Sequence, residues 1–309
     1  MRAYTIFDDF PQSSIDILKN AGIEVDVQPK GKERPQGDEL KQLLDEYDII
    51  FISTAQKMPE EMFKDVVTPK IIGTASSGTD HIHIPSEKQD FIKVANATHA
   101  NRTTVAEHTF ALLLNLRKQL IEGRRTASEG KTKKAMIGKP VDLFGSTMGV
   151  VGAGGIASTI LRLAGFFGMK RLCWTLHPEN HPDLKEEGVE FVDLETLFAH
   201  SDNISVNIPL SEQTKGIVTA AIISKAKEDA AVIVTSRMEV VDTQALFVQA
   251  KANPLFGLGI DADAADLRDL WESEQDNVIV TPHIAGGTVA SRIRLFNECT
   301  ENVVGFVKM

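Results

Sequence analysis

Only two cysteines occur in the chain, Cys173 and Cys299, too few for a disulfide framework and in keeping with a reducing cytosol. A basic excess is missing too: 33 Lys and Arg stand against 43 Asp and Glu, a net charge of −10. Nucleic-acid binders usually show a basic patch or stripe, so no nucleic-acid partner is expected. A local cationic pocket for a small anion still fits on an acidic surface. No apolar run approaches the ~20 residues of a membrane span, and no membrane partner is expected. The opening MRAYTIFDDFPQ lacks the apolar core of a signal peptide, so a cytoplasmic protein is expected. Repeats at solenoid period and low-complexity tracts are absent. His81 and His83 form an H-x-H pair without Cys, His or acidic companions at ligand spacing, so no metal is expected.

What the chain has is alternation. Twelve short β-rich runs (RAYTIF, IEVDVQ, DIIFIS, KIIGTA, FIKVAN, MGVVGA, RLCWTL, VEFV, NISVNI, AVIVTS, LGIDA and VIVTP) are separated by helical patterns. Apolar strands with helices between them mark parallel sheets covered on both faces. At 309 residues, that many strands suit two doubly wound α/β domains better than one. The boundary is expected near residue 100, in ANRTTVAEHTFALLLNLRKQL. Thr104-x-x-Glu107 has the capping-box pattern, and Val105, Thr109, Leu112, Leu113, Leu116 and Leu120 follow at helical spacing. This helix, Thr104 to Leu120, is apolar over much of its circumference, so burial between domains or subunits is expected. The stretch EGRRTASEGKTKKAMIGKP after it reads as a polar surface excursion. Val289, Ile293, Phe296 and Val303 mark a last amphipathic helix, expected to cross back to the first domain. The first domain is then 1–98 with 287–309, the second 99–286, and both crossings flank one cleft.

MGVVGAGGIASTILRLAGFF reads as a strand, a tight turn and a helix. Its Gly152-x-Gly154-x-x-Ala157 is a variant of the dinucleotide fingerprint, in which glycine permits the sharp turn and a close approach of backbone to pyrophosphate. The helix start adds amide donors and a favourable dipole, with Gly155 and Ile156 among the donors. The acid that usually ends the next strand, about 20 residues on, is missing. Thr175 stands there, with His177 behind it. Without that carboxylate the discrimination against a 2′-phosphate is lost, and the cofactor is expected to be NADP or NAD, with a slight tilt to NADP.

Three more segments end at the same expected sheet edge. TSRMEVVDTQAL places Arg237 just after a buried strand, where an unpaired guanidinium would be costly. LGIDADAADL ends its strand with Asp261, Asp263 and Asp266, and VIVTPHIAGGT delivers His283. Successive strand C-termini of a parallel doubly wound sheet lie at one edge, where ligands bind. A lone histidine is ordinarily structural; an arginine and carboxylates beside it change that reading.

With SSGTDHI, NATHANRTTVAEHTFALLL, GVVGAGGIA, NISVNIPLSEQTKGIV, TSRMEVVDTQAL and TPHIAGGT in order, the chain resembles the D-isomer-specific 2-hydroxyacid dehydrogenases over nearly its whole length. The resemblance implies a Rossmann dinucleotide-binding domain, a flavodoxin-like substrate domain and a homodimer. It implies hydride transfer between a nicotinamide cofactor and a small 2-keto acid or D-2-hydroxy acid. Arg237 would clamp the substrate carboxylate and polarise the keto oxygen; His283 would be the acid/base; Asp266 would be its carboxylate partner, with Asp263 as rival. Backbone amides around Ser77 and Gly78, and Asn101, would meet the substrate. Thr104, Pro209, Thr214, Ser236 and Asp261 would meet the cofactor.

The sequence also departs from the family. Asp266 stands for a glutamate, Met238 for a glycine and Thr98 for a proline, which keeps an unusual substrate or a drifted paralogue in view. The alternatives are a non-catalytic, corepressor-like NAD(P)-binding paralogue and a formate- or phosphite-type dehydrogenase. His99 reads as structural or solvated. The chain stops at Met309, the ending expected of an enzyme without a regulatory tail.

Overall fold

The computed structural model describes residues 1–262, 267 and 275–308. The chain forms two compact units, Met1–Asn101 with Thr288–Met309, and Arg102–Gly287. The divisions fall at 101/102 and 287/288, a few residues from those expected at 98/99 and 286/287.

The first unit is built on five parallel strands, β1 (Arg2–Thr5), β2 (Glu24–Val27), β3 (Ile49–Ile52), β4 (Lys70–Thr74) and β5 (Ile92–Ala95). Their order is β2-β1-β3-β4-β5, the flavodoxin-like arrangement. β3 and β4 are buried at every position, which is why IIFI and the IIG of KIIGT are apolar. Helices α1 (Gln12–Asn20), α2 (Gly37–Glu46) and α10 (Val289–Val307) belong to this unit, and α10 packs on α1, β4 and β5. The expected stripe on α10 is only half right. Phe296 and Val303 are buried with Leu295, Cys299 and Val304, whereas Val289 and Ile293 are 80% and 43% exposed. The contact with the core begins one to two turns into the helix, where Phe296 meets Phe7 and Phe10 edge-on.

The second unit is a seven-stranded parallel sheet: β6 (Thr147–Val151), β7 (Lys170–Trp174), β8 (Glu190–Phe191), β9 (Asn203–Val206), β10 (Ala231–Val234), β11 (Gly257–Asp261) and β12 (Val278–Thr281). The order β12-β11-β10-β9-β6-β7-β8 is the Rossmann order extended by one strand, and its direction reverses between β6 and β9. All the β-rich runs of the sequence are strands in one of the two sheets.

The helix at the boundary differs from its expectation in three ways. It runs Arg102–Arg117 (α3), so Thr104 lies inside its first turn and is not the cap. It stops short of Leu120: Gln119 takes the left-handed φ of +51°, and a new helix α4 (Leu120–Ser128) occupies part of the expected excursion. Its apolar residues are spent within its own unit, against β10, β11 and α5 (Gly155–Phe166). Two glycines of β11 let it approach. Cβ atoms on Gly257 and Gly259 would come within 3.4 Å of Leu116 and 3.2 Å of Leu112.

In the first unit, His99 is structural. Its amide and Nδ1 lie 3.0 and 2.8 Å from Glu298 Oε1 on α10. Burial raises the Glu298 carboxyl, but the hydrogen bonds from His99 outweigh it and hold the group below the usual carboxylate range. A carboxyl depressed in the folded state adds stability that is present above its unfolded value and lost as pH falls through the folded one. Replacing Glu298 by Gln should therefore cost about 1–2 kcal/mol at neutral pH and markedly less below pH 4. Denaturant midpoints at the two pH values measure this, and equal losses at both would contradict it.

Candidate active site

The reversal between β6 and β9 creates the crevice where doubly wound sheets bind ligands. β6 runs straight into the glycine turn. Gly152 has φ of +108°, and a Cβ there would sit 2.5 Å from the Asn207 carbonyl oxygen after β9, so both backbone and space demand glycine. Gly154 flanks the start of α5, and a Cβ on it would meet nothing within 4 Å. The open side of the turn therefore faces the first-turn amides of α5, Gly155 and Ile156 among them, which have no partners inside the helix. Ala157, fully buried, lets the helix lie close to the sheet.

Next along the edge is a polar ladder. Ser205 Oγ donates to Asn207 Oδ1 at 2.5 Å, Asn207 Nδ2 donates to Thr235 Oγ1 at 2.7 Å, and Thr109 of α3 lies 3.4 Å from Thr235. Beyond it, Ser236 Oγ is buried without a hydrogen-bond partner. Buried hydroxyls are nearly always satisfied. An orphan beside the glycine-turn crevice fits a bound ligand with polar edges, such as a dinucleotide. Pro209 is exposed after β9, while Thr214 is 2% exposed. The Thr214 hydroxyl donates to the Pro209 carbonyl at 2.6 Å and accepts from the Ser211 amide at 2.8 Å. Thr214 therefore holds the shape of the loop that follows β9. Thr104, in the first turn of α3, is 5% exposed.

At the far side of the crevice, Thr175 directly follows β7 and is half-buried, and His177 is exposed. His177 Nδ1 lies 3.2 Å from Glu179 Oε1. A backbone hydrogen bond, helped by His177, holds the Glu179 carboxyl below its ordinary range. An acid thus stands near the position from which the usual one is missing. Sequence spacing did not point to it, because it comes after the strand, in a short turn of helix.

The position of His283 is decided by Asp261. β11 and β12 pair with Asp261 opposite Thr281. The Asp261 carboxylate, 3% exposed, accepts from Thr281 Oγ1 at 2.5 Å and from the amides of Ile284 and Ala285 at 2.8 Å each. The turn is wrapped around the carboxylate, and His283 is exposed at its crest. Its φ is +53°, a conformation that few non-glycine residues adopt. Such strain costs roughly 1–3 kcal/mol and persists where the surroundings over-determine it. The oxygens of Asp261, a residue expected to meet the cofactor, hold the turn that carries His283.

A second imidazole supports this arrangement. His108 Nε2, from α3, lies 3.0 Å from Thr281 Oγ1 and 3.8 Å from Asp261 Oδ1. The single Thr281 hydroxyl proton goes to Asp261, so His108 Nε2 must be the donor, which sets its tautomer. Neither His108 nor the role of Thr281 was singled out from sequence, since spacing along α3 does not say which face meets β12.

Arg237 sits half-buried three residues after β10, at the same sheet edge. Met238, next in the chain, packs against the apolar cluster of β9, β10 and β11. Asp266 and Asp263 lie outside the described residues.

In the first unit, the loop after β4 is tightly pinned. Ser77 Oγ lies 3.1 Å from the Ala97 carbonyl and 3.0 Å from Asn101 Oδ1, and Asn96 Nδ2 donates to the Ser77 carbonyl at 2.8 Å. The Ser76 hydroxyl donates to the Gly78 carbonyl at 2.7 Å. The loop is thus held by side chains, and Ser77 and Gly78 are half-buried. His81 is 1% exposed with Nε2 at 3.2 Å from Thr74 Oγ1, a core position. Among the described residues, no group of three or more His, Cys, Asp and Glu could hold a metal.

Asp261→Ala should leave the buried Ala285 amide and the partly buried Ile284 amide without their acceptor, at a cost of about 1–3 kcal/mol. The released turn should let His283 relax from its left-handed conformation. Thermal melting measures the first effect and the chemical shifts of the His283 ring the second; a variant with wild-type values for both would refute the assignment.

The comparisons with known proteins agree with this geometry. The profile of the D-isomer specific 2-hydroxyacid dehydrogenase NAD binding domain matches residues 110–285. A hydroxypyruvate reductase from Thermotoga maritima is 32% identical over 278 residues, covering 88% of each chain. Two phosphoglycerate dehydrogenases are longer, and the chain spans 54% and 57% of them. A D-lactate dehydrogenase from Aquifex aeolicus, solved with NAD and lactic acid, superposes with a TM-score of 0.83 at 29% identity, covering 100% of this chain and 96% of that one. An acyclic imino acid reductase, solved with NADPH and D-Arg, gives 0.86 at 26% identity, covering 100% and 97%. No helix among the described residues is long and apolar enough to cross a membrane. With its sheet orders, its glycine turn and these matches taken together, the chain belongs to the D-isomer specific 2-hydroxyacid dehydrogenases.

Proposed function

We propose that the chain is an oxidoreductase that transfers a hydride between a nicotinamide cofactor and a small 2-keto acid, giving the D-2-hydroxy acid. The observation that carries this reading is His283, forced into a left-handed turn by Asp261 at the sheet edge that also bears Arg237 and the glycine turn. A structural histidine needs no such strain.

Gly152, Gly154, Gly155 and Ile156 would hold the pyrophosphate, and the orphaned Ser236 hydroxyl, Thr104 and Pro209 would line the remaining cofactor surface, with Thr175 at the ribose. When bound, the nicotinamide supplies or accepts the hydride. The Arg237 guanidinium then clamps the substrate carboxylate and draws electron density from the keto oxygen. His283 delivers a proton to that oxygen in reduction and removes it in oxidation. Both groups meet a charge that is greater in the transition state than in the ground state, which is what makes them catalytic and not merely binding groups. Asp266 is proposed as the carboxylate partner of His283. In the first unit, the Ser77 and Gly78 amides and Asn101 are proposed to meet the substrate. Ile137, Phe144 and Phe166 are 68%, 82% and 89% exposed on the second unit, apolar area that a homodimer would cover. Sedimentation at micromolar concentration checks the dimer, and the proposed setting is the cytoplasm.

A panel of 2-keto acids, with NADH and NADPH as donors, tests the reaction. On the best substrate, His283→Ala should cut turnover by roughly 10²–10⁴ while moving KM less. Arg237→Ala should damage KM and kcat together, because the guanidinium serves both states. Asp266→Asn should move the upper pH limit of reduction to lower pH, and Asp263→Asn should not. Full activity in His283→Ala would end this mechanism.

The cofactor is proposed to be NADP or NAD, with a slight tilt to NADP because Thr175 presents no charge to a 2′-phosphate. Glu179, paired with His177, limits that tilt. Thr175→Asp should shift the ratio of NADPH to NADH affinity toward NADH by about tenfold or more, equivalent to ~1.4 kcal/mol. An unchanged ratio would place the reading of the ribose elsewhere.

A further inference from the structure

α3 and β11 meet in register. Cβ atoms on Gly257 and Gly259 would come within 3.4 Å of Leu116 and 3.2 Å of Leu112. Two residues farther along the strand, the Asp261 carboxylate lies 3.8 Å from His108 Nε2. On the strand these are positions i, i+2 and i+4 of one face; on the helix, running the other way, they are i, i−4 and i−8 of one face. Two strand residues rise about 6.6 Å and four helical residues about 6 Å, so the two elements stay in step over this distance. The lower rungs are leucines seated on glycines. Packing alone would be served by a third leucine, yet the rung at the sheet edge is an imidazole against a carboxylate.

That rung bears on Thr281, which lies opposite Asp261 in β12. The Thr281 hydroxyl has one proton and two acceptors within reach, Asp261 Oδ1 at 2.5 Å and the Ile260 carbonyl at 3.3 Å. His108 Nε2, 3.0 Å away, donates into a lone pair of the hydroxyl and leaves its proton for the carboxylate. Imidazole, hydroxyl and carboxylate thus form one directed chain, in which each bond polarises the next. The Thr281 carbonyl in turn accepts from the amides of Ala262 at 3.1 Å and His283 at 3.0 Å. Whatever fixes Thr281 therefore fixes the backbone on which His283 stands.

We infer that His108 is a positioning residue for His283. By donating to Thr281 it holds the turn on Asp261, and with it the left-handed backbone that presents the His283 imidazole at the sheet edge. This rests on the reading of His283 as the acid/base. His108 acts through Thr281 and Asp261, not on the reacting atoms.

Kinetics and nuclear magnetic resonance of the full chain test it together. His108→Leu keeps the bulk and removes the donor. Its kcat on the best 2-keto acid should fall about 10- to 100-fold with KM nearly unchanged, because a displaced acid/base costs rate more than binding. His108→Gln, whose amide nitrogen can stand in for Nε2, should restore most of the rate. Thr281→Val should reproduce the loss, and the double variant with His108→Leu should lose no more than either alone, since both act through one hydrogen bond. The His283 ring resonances and the amide resonances of Ile284 and Ala285 should move in His108→Leu and return in His108→Gln. Wild-type kcat in His108→Leu overturns the inference, as does a fall that His108→Gln fails to relieve. So do His283 resonances that stay in place while only the melting temperature drops. Should His108→Leu not fold, Thr281→Val decides by the same two readouts. A wild-type chain that reduces no 2-keto acid with either cofactor removes the reading beneath the inference; unmoved resonances remove the positioning role whether or not the chain is active.

Discussion

A carboxylate buried to 3% exposure must be repaid with hydrogen bonds, and Asp261 collects its donors from a single short turn. The same contacts that satisfy the charge determine the course of the chain from Thr281 to Ala285. They hold His283 at φ +53°, and they tie the end of β12 to the end of β11. Charge-assisted hydrogen bonds are roughly twice as strong as neutral ones, which suits them to hold a strained residue in place. The imidazole can be exposed and still well positioned, because its backbone is anchored from beneath.

α3 extends this control across the sheet. It is apolar over much of its surface because β10 and β11 lie on one side of it and α5 on another. The glycines of β11 admit Leu112 and Leu116, and that close seating brings three polar residues of α3 to the ligand edge. His108 meets Thr281 at β12, Thr109 approaches Thr235 at β10, and Arg102 lies over Gly155 at α5. One helix therefore touches the supports of the His283 turn, the central polar ladder and the glycine turn. A shift of α3 along its axis would disturb all of them together, which ties the packing of its apolar face to the chemistry proposed for the edge.

The residues expected to contact ligand differ in what surrounds them in the chain itself. Gly154 and Ser236 face open space or lack a partner. Asp261 and Thr214 are buried and engaged with their own loops. Both kinds matter for the same reason: a site fails if its loops move as surely as if its ligating atoms are lost.

Much of this protein was legible in the amino-acid sequence. The central strands announced themselves, because strands covered on both faces are apolar throughout, and the glycine turn did too, because φ of +108° against a carbonyl admits no other residue. Arg237 and His283 were located for a related reason, since strand order places strand ends at one edge. Other features depended on contacts distant in sequence. The ends of α3, the exposure of Val289 and Ile293, and the inward packing of Met238 were settled by which surface each residue meets. His108 and Thr281 are 173 residues apart, and nothing local in either segment encodes their contact. Composition and periodicity, being local, sufficed for the elements and for the edge on which chemistry gathers. Only the packed structure decided which polar side chains grip the loops at that edge, because that choice is made by neighbours remote along the chain.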